Sequence, residues 1–225
     1  MSISLEQLRR ISFFTGLHEE TLVLLSQSSI RREYAPGAIL FLEGDAASAM
    51  YYLDAGWVKV SKSSPEGREQ ILRFLGPGET FNELSIFANK QNPATAVALE
   101  AVNAWLIPRR AVQQLLIDYP QVAIQVIESV ADRAIYLASL VADLSLHSVE
   151  GRVARLLLRE ADADVMARRP WATQTELAAR LGTVPDVLSR ALRSMAGAGI
   201  IAVERSEIRI LDRDALAEMA LIDDG

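Results

Sequence analysis

The segment TQTELAARLGTVPDVLSR, residues 173–190, decides how this chain is interpreted. It opens with a capping-box pattern, since the Thr173 hydroxyl can accept from the third helical N–H while Glu176 reaches back to the cap. Gly182 predicts the end of that helix, because glycine tolerates the left-handed backbone found at helix ends. The first half of the segment therefore predicts a short capped helix followed by a tight turn.

A second helix is predicted directly after this turn. Thr183 to Asp186 repeats the capping-box pattern with Asp in place of Glu, and Pro185 suits a first turn, whose N–H groups have no helical partner. The two predicted starts lie ten residues apart. Two short capped helices around a glycine turn are typical of a helix-turn-helix, whose second helix enters the major groove of DNA.

The second helix has two chemically different faces. Its apolar residues predict a buried face: Val187, Leu188, Ala191, Leu192 and Met195. The opposite face offers residues that can meet base edges: Pro185, Asp186, Ser189, Arg190 and Arg193. Arginine can bind guanine O6 and N7 together, and aspartate can accept from cytosine N4. A purely structural alternative is a surface ion pair between Asp186 and Arg190, which are four residues apart.

The residues that follow predict a wing. Gly197 ends the second helix, and Val203 with residues 208–211 predicts a β-hairpin whose turn is residues 204–207. A last short helix is expected over residues 215–220. The C-terminal part is therefore predicted to be a winged helix-turn-helix.

A long helical stretch is predicted upstream, from Arg109 to Leu146, with a break at Pro120. Along its second part, apolar residues alternate at spacings of three and four: Ile127, Val130, Ala134, Leu137, Val141 and Leu144. This pattern is typical of a coiled-coil seam, so we expect two copies of the chain to associate there. A second stripe is expected to pack on its own domain: Ala131, Ile135, Ala138 and Ala142.

Short apolar runs separated by glycines indicate β-strands between Tyr34 and Ile107. The runs are residues 39–42, 51–53, 57–60, 71–74 and 95–98. Ser64 to Gly67 predicts a hairpin turn. We expect an antiparallel sandwich or barrel, preceded by two helical patterns, the second of which reaches Ile30.

Composition excludes several classes of protein. The 225 residues include no cysteine, which rules out disulfides and iron–sulfur clusters or zinc held by cysteine. The sequence has no Walker A run, nucleophile elbow or HExxH motif, so we expect no enzymatic activity. Haem stays open as a cofactor, with His18 and His147 as the two histidines that could bind it.

Charge and hydropathy constrain location and partners. The net charge of −6 predicts weak non-specific binding to DNA. No apolar run is long enough to span a membrane, and the first ten residues have no signal-peptide core. We therefore expect a cytoplasmic protein without a membrane partner.

The order of these parts resembles the Crp/Fnr family, named after the cyclic-AMP receptor protein and the fumarate-nitrate reduction regulator. The resemblance covers nearly the whole chain and rests on the long helix and these motifs: Pro36-Gly37, Glu43-Gly44, Gly56, Gly78 to Leu84, and Thr173 to Arg190. It implies an α+β fold with an N-terminal antiparallel β-roll, a jelly-roll-like cyclic-nucleotide-binding fold, over residues 1–108. A dimerisation helix over 109–146 and a winged helix-turn-helix over 147–225 would follow.

The resemblance implies a homodimeric transcription regulator that reads palindromic double-stranded DNA with helix 184–196, and RNA polymerase as a further partner. Asp186-x-x-Ser189-Arg190 is similar to the Fnr-type Glu-x-x-Ser-Arg motif. By that match Arg190 reads guanine, Ser189 contacts a base or the backbone, and the shorter Asp186 takes the place of Glu. The implied phosphate contacts are Thr173, Gln174, Thr183 and Arg193. The alternative is a ligand-binding regulatory protein that keeps the β-roll but does not act through DNA.

The effector site departs from the family's cyclic-nucleotide cassette, which has Gly-Glu-Leu and, about ten residues later, an Arg that pairs the phosphate. Asn82 replaces the Gly, Glu83 remains, and Pro93 replaces the Arg. The expected pocket comprises Phe81, Asn82, Glu83, Leu84, Ala94 and Thr95. An unpaired buried phosphate costs several kcal/mol, so we predict that cyclic AMP is not the ligand. The effector itself stays unidentified, and activity without any effector is equally open.

Overall fold

The computed structural model describes residues 2–221, which divide into two compact units. The first unit comprises residues 2–62 and 72–134, and the second comprises residues 63–71 and 135–221. The boundaries after residues 108 and 146 stay a prediction.

The first unit opens with short helices, α1 (Leu5–Arg9) and α2 (Glu19–Ser28), separated by a 3-10 turn. Ser4 caps α1, because its Oγ accepts from the Gln7 backbone N at 3.1 Å while Gln7 Oε1 accepts from the Ser4 N at 2.9 Å. Leu8, Phe14 and Leu22 are fully buried in the core beneath them. The second helical pattern ends earlier than predicted, because Ser29 already has an extended backbone.

Eight strands form the β-roll, of which residues 63–71 belong to the second unit. They are β1 (Ile30–Tyr34), β2 (Ile39–Phe41), β3 (Ala49–Ala55), β4 (Val58–Ser63), β5 (Glu69–Leu75), β6 (Thr80–Phe81), β7 (Thr95–Ala98) and β8 (Val102–Pro108). Two four-stranded sheets result, ordered β1-β8-β3-β6 and β2-β7-β4-β5. The predicted antiparallel β-roll is confirmed, and the turn at residues 64–67 forms with Gly67 at φ +83°.

Strand β1 was missed because it carries no apolar run. Its sequence is IRREY, and it lies at the edge of its sheet, where it pairs antiparallel with β8 alone. An edge strand can present charged side chains to water on most positions, so hydrophobic alternation does not reveal it. Ile30, predicted to end a helical pattern, begins this strand.

Three helices follow within or after the β-roll: α3 (Glu83–Ala88), α4 (Arg109–Asp118) and α5 (Pro120–Leu146). The predicted break before Pro120 is confirmed, because α4 ends at Asp118 and α5 begins with the proline. The predicted domain-facing stripe is wrong: Ile135 is 66% exposed, and the alanines at 131 and 138 are also exposed. Val122 and Val126 are the α5 side chains that pack into the first core.

The second unit contains the winged helix-turn-helix. Its elements are α6 (Val149–Glu160), β9 (Val165–Ala167), α7 (Gln174–Arg180), α8 (Pro185–Gly197), β10 (Ile201–Val203), β11 (Glu207–Ile210) and α9 (Arg213–Leu221). The predicted wing hairpin β10–β11 is confirmed, and β9 adds a third, unpredicted strand. Leu157, Leu188 and Met195 lie at the centre of one apolar core. This core fixes α7 and α8 relative to the wing.

Candidate nucleic-acid interface and effector pocket

Helix α7 is capped as predicted at its first residue. Thr173 Oγ1 accepts a hydrogen bond from the Glu176 backbone N at 3.2 Å. Gln174 begins the helix, and both Thr173 and Gln174 are exposed. The Thr173 hydroxyl can still donate its own hydrogen, so an exposed donor remains at this helix end for a phosphate oxygen.

The predicted capping box at the start of α8 is wrong. Val184 is the N-cap, with an extended backbone at φ −111° and ψ 155°, and no described side chain caps it. A residue before proline is pushed into this extended region, so the helix can begin only at Pro185. Thr183 lies one residue outside the helix, half-buried, and its N–H donates to the Ala178 carbonyl at 2.9 Å.

The outer face of α8 presents the residues predicted for base contacts. Pro185, Asp186 and Arg190 are exposed, and Ser189 is half-buried. Among residues 2–221, Asp186 and Arg190 have neither an ion pair nor a hydrogen bond, so the surface-pair alternative does not form. Arg193 is exposed too, and its Nε donates to the Ser189 carbonyl at 3.3 Å. This face therefore carries an unengaged cation and anion on a rigid helix.

The opposite face of α8 is buried through Leu188, Ala191, Leu192 and Met195. Val187, predicted with them, is half-buried. The helix is amphipathic at a period of 3.6 residues, and this period points the polar residues away from the core.

The turn between α7 and α8 is held by other elements of the second unit. Gly182 has φ +63°, and a Cβ added there would clash with Leu144 Cδ2. Gln70 Nε2 donates to the Arg180 carbonyl at 3.2 Å, and Arg152 Nη1 donates to the Leu181 carbonyl at 2.5 Å. Two carbonyls at the end of α7 are thereby satisfied by side chains.

The six residues of the predicted seam lie on one side of α5. Ile127 is 66% exposed and Val141 63%, and Ala134, Val130 and Leu137 are exposed as well. Leu144 differs, since it is half-buried and lies against the position of Gly182. Five of the six residues thus leave apolar surface exposed, although Val130 and Leu137 expose only 37% each.

The β-roll contains a pocket with about 370 Å³ of empty space that is continuous with solvent. Its lining consists of Phe41, Val60, Phe81, Asn82, Glu83, Leu84, Ser85, Pro93, Ala94 and Arg133. Five of the six residues predicted for the effector pocket are brought together here. Thr95 lies outside this lining, and its Oγ1 accepts from the Glu43 backbone N at 3.0 Å.

The polar atoms of the pocket are strongly buried. Glu83 is 7% exposed and Ser85 3%, and within the described chain neither Glu83 Oε2 nor Ser85 Oγ has a hydrogen-bond partner. Burial raises the pKa of the Glu83 carboxyl, and the charge of Arg133 opposes this rise. A buried polar group without a partner is costly, so this arrangement is suited to a ligand that completes its hydrogen bonds.

Arg133 is the charged residue of the lining that the sequence did not predict for this site. It lies fifty residues after Glu83 in the sequence and reaches the pocket from α5. It lies far outside the roughly ten residues that separate the Glu and the Arg of the family's cassette. One signal could have found it: Arg133 is the single basic residue between 120 and 146, next to a seam position.

Comparison with known proteins assigns both halves of the chain. Residues 31–119 match the model of the cyclic nucleotide-binding domain, and residues 151–219 match the Crp-like helix-turn-helix domain. The Cyclic AMP receptor protein of Thermus thermophilus is 31% identical over 211 residues, which are 92% of this chain and 95% of that protein. The chain belongs to the Crp/Fnr family.

Further relatives of this Crp/Fnr protein agree. The CRP-like cAMP-activated global transcriptional regulator of Mycobacterium tuberculosis H37Rv is 29% identical, over 96% of this chain and 99% of that protein. The structure of FixK2 from Bradyrhizobium japonicum has the same fold, with a TM-score of 0.75, 22% identity, and coverage of 85% of this chain and 96% of that one. The protein is a transcription regulator with a helix-turn-helix DNA-binding domain.

The departures of this Crp/Fnr protein from the family cassette have structural explanations. Asn82, which replaces the Gly, has a left-handed backbone at φ +68°, and asparagine tolerates this conformation better than most residues. Its Nδ2 donates to the Ala49 carbonyl at 3.1 Å. At the position of the missing arginine, the Pro93 carbonyl accepts from Lys62 Nζ at 2.9 Å, and Lys62 also pairs with Glu43. Internal contacts therefore organise the loop.

The histidines of this regulator have ordinary surroundings. His18 is exposed and precedes α2 as its N-cap, and His147 is buried between α5 and α6. Among the described residues, no group of three or more His, Asp or Glu side chains is placed to hold a metal ion.

No helix between residues 2 and 221 combines the length and apolar character needed to cross a membrane.

Proposed function

We propose that this Crp/Fnr regulator is a homodimer that reads a palindromic site with α8, under the control of a small effector other than cyclic AMP. The observation that carries the proposal is the outer face of α8, where Asp186 and Arg190 are exposed and engaged with no described residue. The effector is assigned to the pocket around Glu83.

Self-association is supported by the apolar surface of α5. Residues such as Ile127 and Val141 are more than half exposed, although they repeat at the spacing of a coiled-coil seam. Apolar surface of this extent on one helix marks an interaction site. Two copies joined along α5 present two recognition helices. A palindrome whose two half-sites lie about one DNA turn apart matches the two-fold symmetry of such a dimer.

Base reading is supported by the side chains of α8. Arg190 can bind guanine O6 and N7 with two parallel hydrogen bonds, and Asp186 can accept from cytosine N4. Ser189 can contact a base or the backbone. The exposed donors for phosphate contacts are Thr173, Gln174 and Arg193. Thr183 is half-buried, so it contacts a phosphate with the exposed part of its side chain.

A binding-site selection tests this assignment. Random-sequence duplexes are selected with the wild type, with R190A and with the matched variant R193A. We expect R190A to lose one base preference and about 1–3 kcal/mol of specific affinity. We expect R193A to weaken all sequences alike and to reduce the salt dependence. Identical preferences for R190A and the wild type would refute base reading by Arg190.

Rejection of cyclic AMP is supported by the cassette. This chain has Pro93 and Ala94 at the phosphate position of the family's cassette. Arg133 does enter the pocket, but its charge faces the buried Glu83. Calorimetric titration with cyclic AMP should give no micromolar binding, and a micromolar Kd would overturn this part of the proposal.

We propose that RNA polymerase is a further partner of the operator-bound protein and that the chain carries out no catalytic step. Regulators of this family act on promoters, and this action supports both the polymerase contact and the expected cytoplasmic location. Co-purification of RNA polymerase with the operator-bound protein, against a no-operator control, tests the contact.

A further inference from the structure

The polar side chains of the effector pocket come from two helices. Glu83 and Ser85 belong to α3, and Arg133 belongs to α5. Glu83 Oε2 and Ser85 Oγ lack a hydrogen-bond partner within residues 2–221, although both side chains are more than nine-tenths buried. Since buried polar atoms are normally hydrogen-bonded, these two atoms indicate a missing ligand with polar groups at this end.

The opposite wall of the pocket is apolar. It is formed by Phe41 of β2, Val60 of β4 and Phe81 of β6, together with Pro93 and Ala94. The rings of Phe41 and Phe81 lie 5.9 Å apart between centroids. A ligand that fills this space therefore combines a polar head, facing the helices, with an apolar body, facing the strands.

The charges around the pocket sum to nearly zero. The Glu83 carboxyl is matched by the Arg133 guanidinium, and the neighbouring Arg73 and Glu79 pair with each other at 2.5 Å. A ligand with net negative charge would leave one charge uncompensated in a buried site, which is strongly unfavourable. A ligand with one ammonium and one carboxylate group leaves none, because each group meets an opposite charge.

We propose that this pocket binds a free amino acid with an apolar side chain. Its carboxylate pairs with Arg133 and accepts from the Ser85 hydroxyl, and its ammonium donates to Glu83 Oε2. Its side chain packs against Phe41 and Phe81. The inference rests on the proposed function only in that the pocket is the effector site.

Calorimetric titration of the full-length protein without DNA tests the ligand class. The probes are L-valine, L-leucine, L-isoleucine, L-methionine and L-phenylalanine, each at up to 5 mM. We expect at least one to bind. For leucine-sized ligands, 4-methylpentanoate lacks the ammonium group and 3-methylbutylamine lacks the carboxylate, and we expect each to bind at least tenfold more weakly than the amino acid. Absence of binding by all five, or equal binding of an analogue, would overturn the inference.

Variants test the assigned contacts. R133A should weaken amino acid binding at least tenfold, S85A should weaken it severalfold, and R133K should restore part of the loss. The matched control is R110A, an exposed arginine on α4 outside the pocket, which should bind like the wild type. Thermal unfolding of each variant shows that it folds. Unchanged binding by both R133A and R133K would refute the contact.

A gel shift with a selected operator separates this inference from the proposed function. If the operator is bound but no amino acid is, the ligand class is wrong and the DNA function stands. If an amino acid binds but no operator is selected, the DNA function fails and the ligand assignment stands.

Discussion

Helix α5 is equally apolar in its first two turns and in its later part, yet its buried side chains, Val122 and Val126, both lie in the first part. Val122 and Val126 are 3% and 7% exposed, within the core of the first unit. Ile127 and Val141 are 66% and 63% exposed. Apolar side chains that leave water stabilise the chain itself, whereas those that stay in water stabilise only an assembly. The same residue types on one helix therefore stabilise the fold of the single chain in one place and are available to stabilise a dimer in the other.

The sharpest test is a charge placed in the exposed part. We expect V141D to abolish self-association, because it puts two like charges face to face across the seam. Loss of the second recognition helix should lower operator affinity by about 10²–10⁴-fold, the usual gain from joining two binding modules. Sedimentation velocity measures the assembly and a gel shift measures the affinity.

The matched control for this variant is S139D, which adds the same charge to an exposed position of α5 outside the seam. It should remain a dimer and bind DNA as the wild type does. If the V141D protein remained a dimer, the exposed part of α5 would not be the self-association surface.

The buried part should respond in the opposite way. V126D places an unpaired charge in the first core, and we expect it to lower the free energy of unfolding by about 3–5 kcal/mol. I127D, one residue away but two-thirds exposed, should leave the stability of the single chain nearly unchanged and weaken dimerisation. Urea unfolding below the dimer dissociation constant compares them, and equal losses would show that exposure does not separate the two positions.

Leu144 lies between these extremes, since it is a seam residue that is half-buried against the turn at Gly182. G182A should cost about 1–2 kcal/mol for a left-handed alanine, and more because its Cβ displaces Leu144. G199A supplies the control, with φ +75° and no other described atom within 4 Å of the added Cβ. Equal losses of thermal stability in the two variants would mean that Leu144 does not press on the turn.

Local signals in the sequence predicted the DNA-binding unit better than the pocket. The sequence signals for α7, α8 and the wing are helix-capping residues, turn glycines and the spacing of apolar residues. Each of these signals acts within a few residues of the chain. The start of α8 was misplaced by one residue, since Pro185 outweighed the threonine that precedes Val184. The pocket depends on contacts distant in sequence, and the polar residues missed there were Ser85 and Arg133. Edge strand β1 was not predicted because its charged side chains face solvent, so the strand has no apolar run.

The effector pocket is the opposite of the exposed part of α5. Polar atoms are buried in the pocket, whereas apolar side chains are exposed on the helix. Burial raises the pKa of Glu83 in the folded chain above its ordinary value of 4.5, so the folded state favours the protonated carboxyl. Its contribution to stability is then fully present below pH 4.5 and is lost as the pH rises through the folded pKa.

E83Q removes the ionisable group while keeping the shape of the side chain. At pH 7 we expect E83Q to be more stable than the wild type by about 1 kcal/mol, since burial makes the charged form of Glu83 costly. Below pH 4.5 the two proteins should have equal stability. Urea unfolding between pH 4 and pH 8 measures the difference. A difference that does not change with pH would show that the Glu83 carboxyl keeps its ordinary pKa, whereas a gain that grows as the pH rises above 4.5 would show that burial of this carboxyl lowers the stability of the wild type at neutral pH.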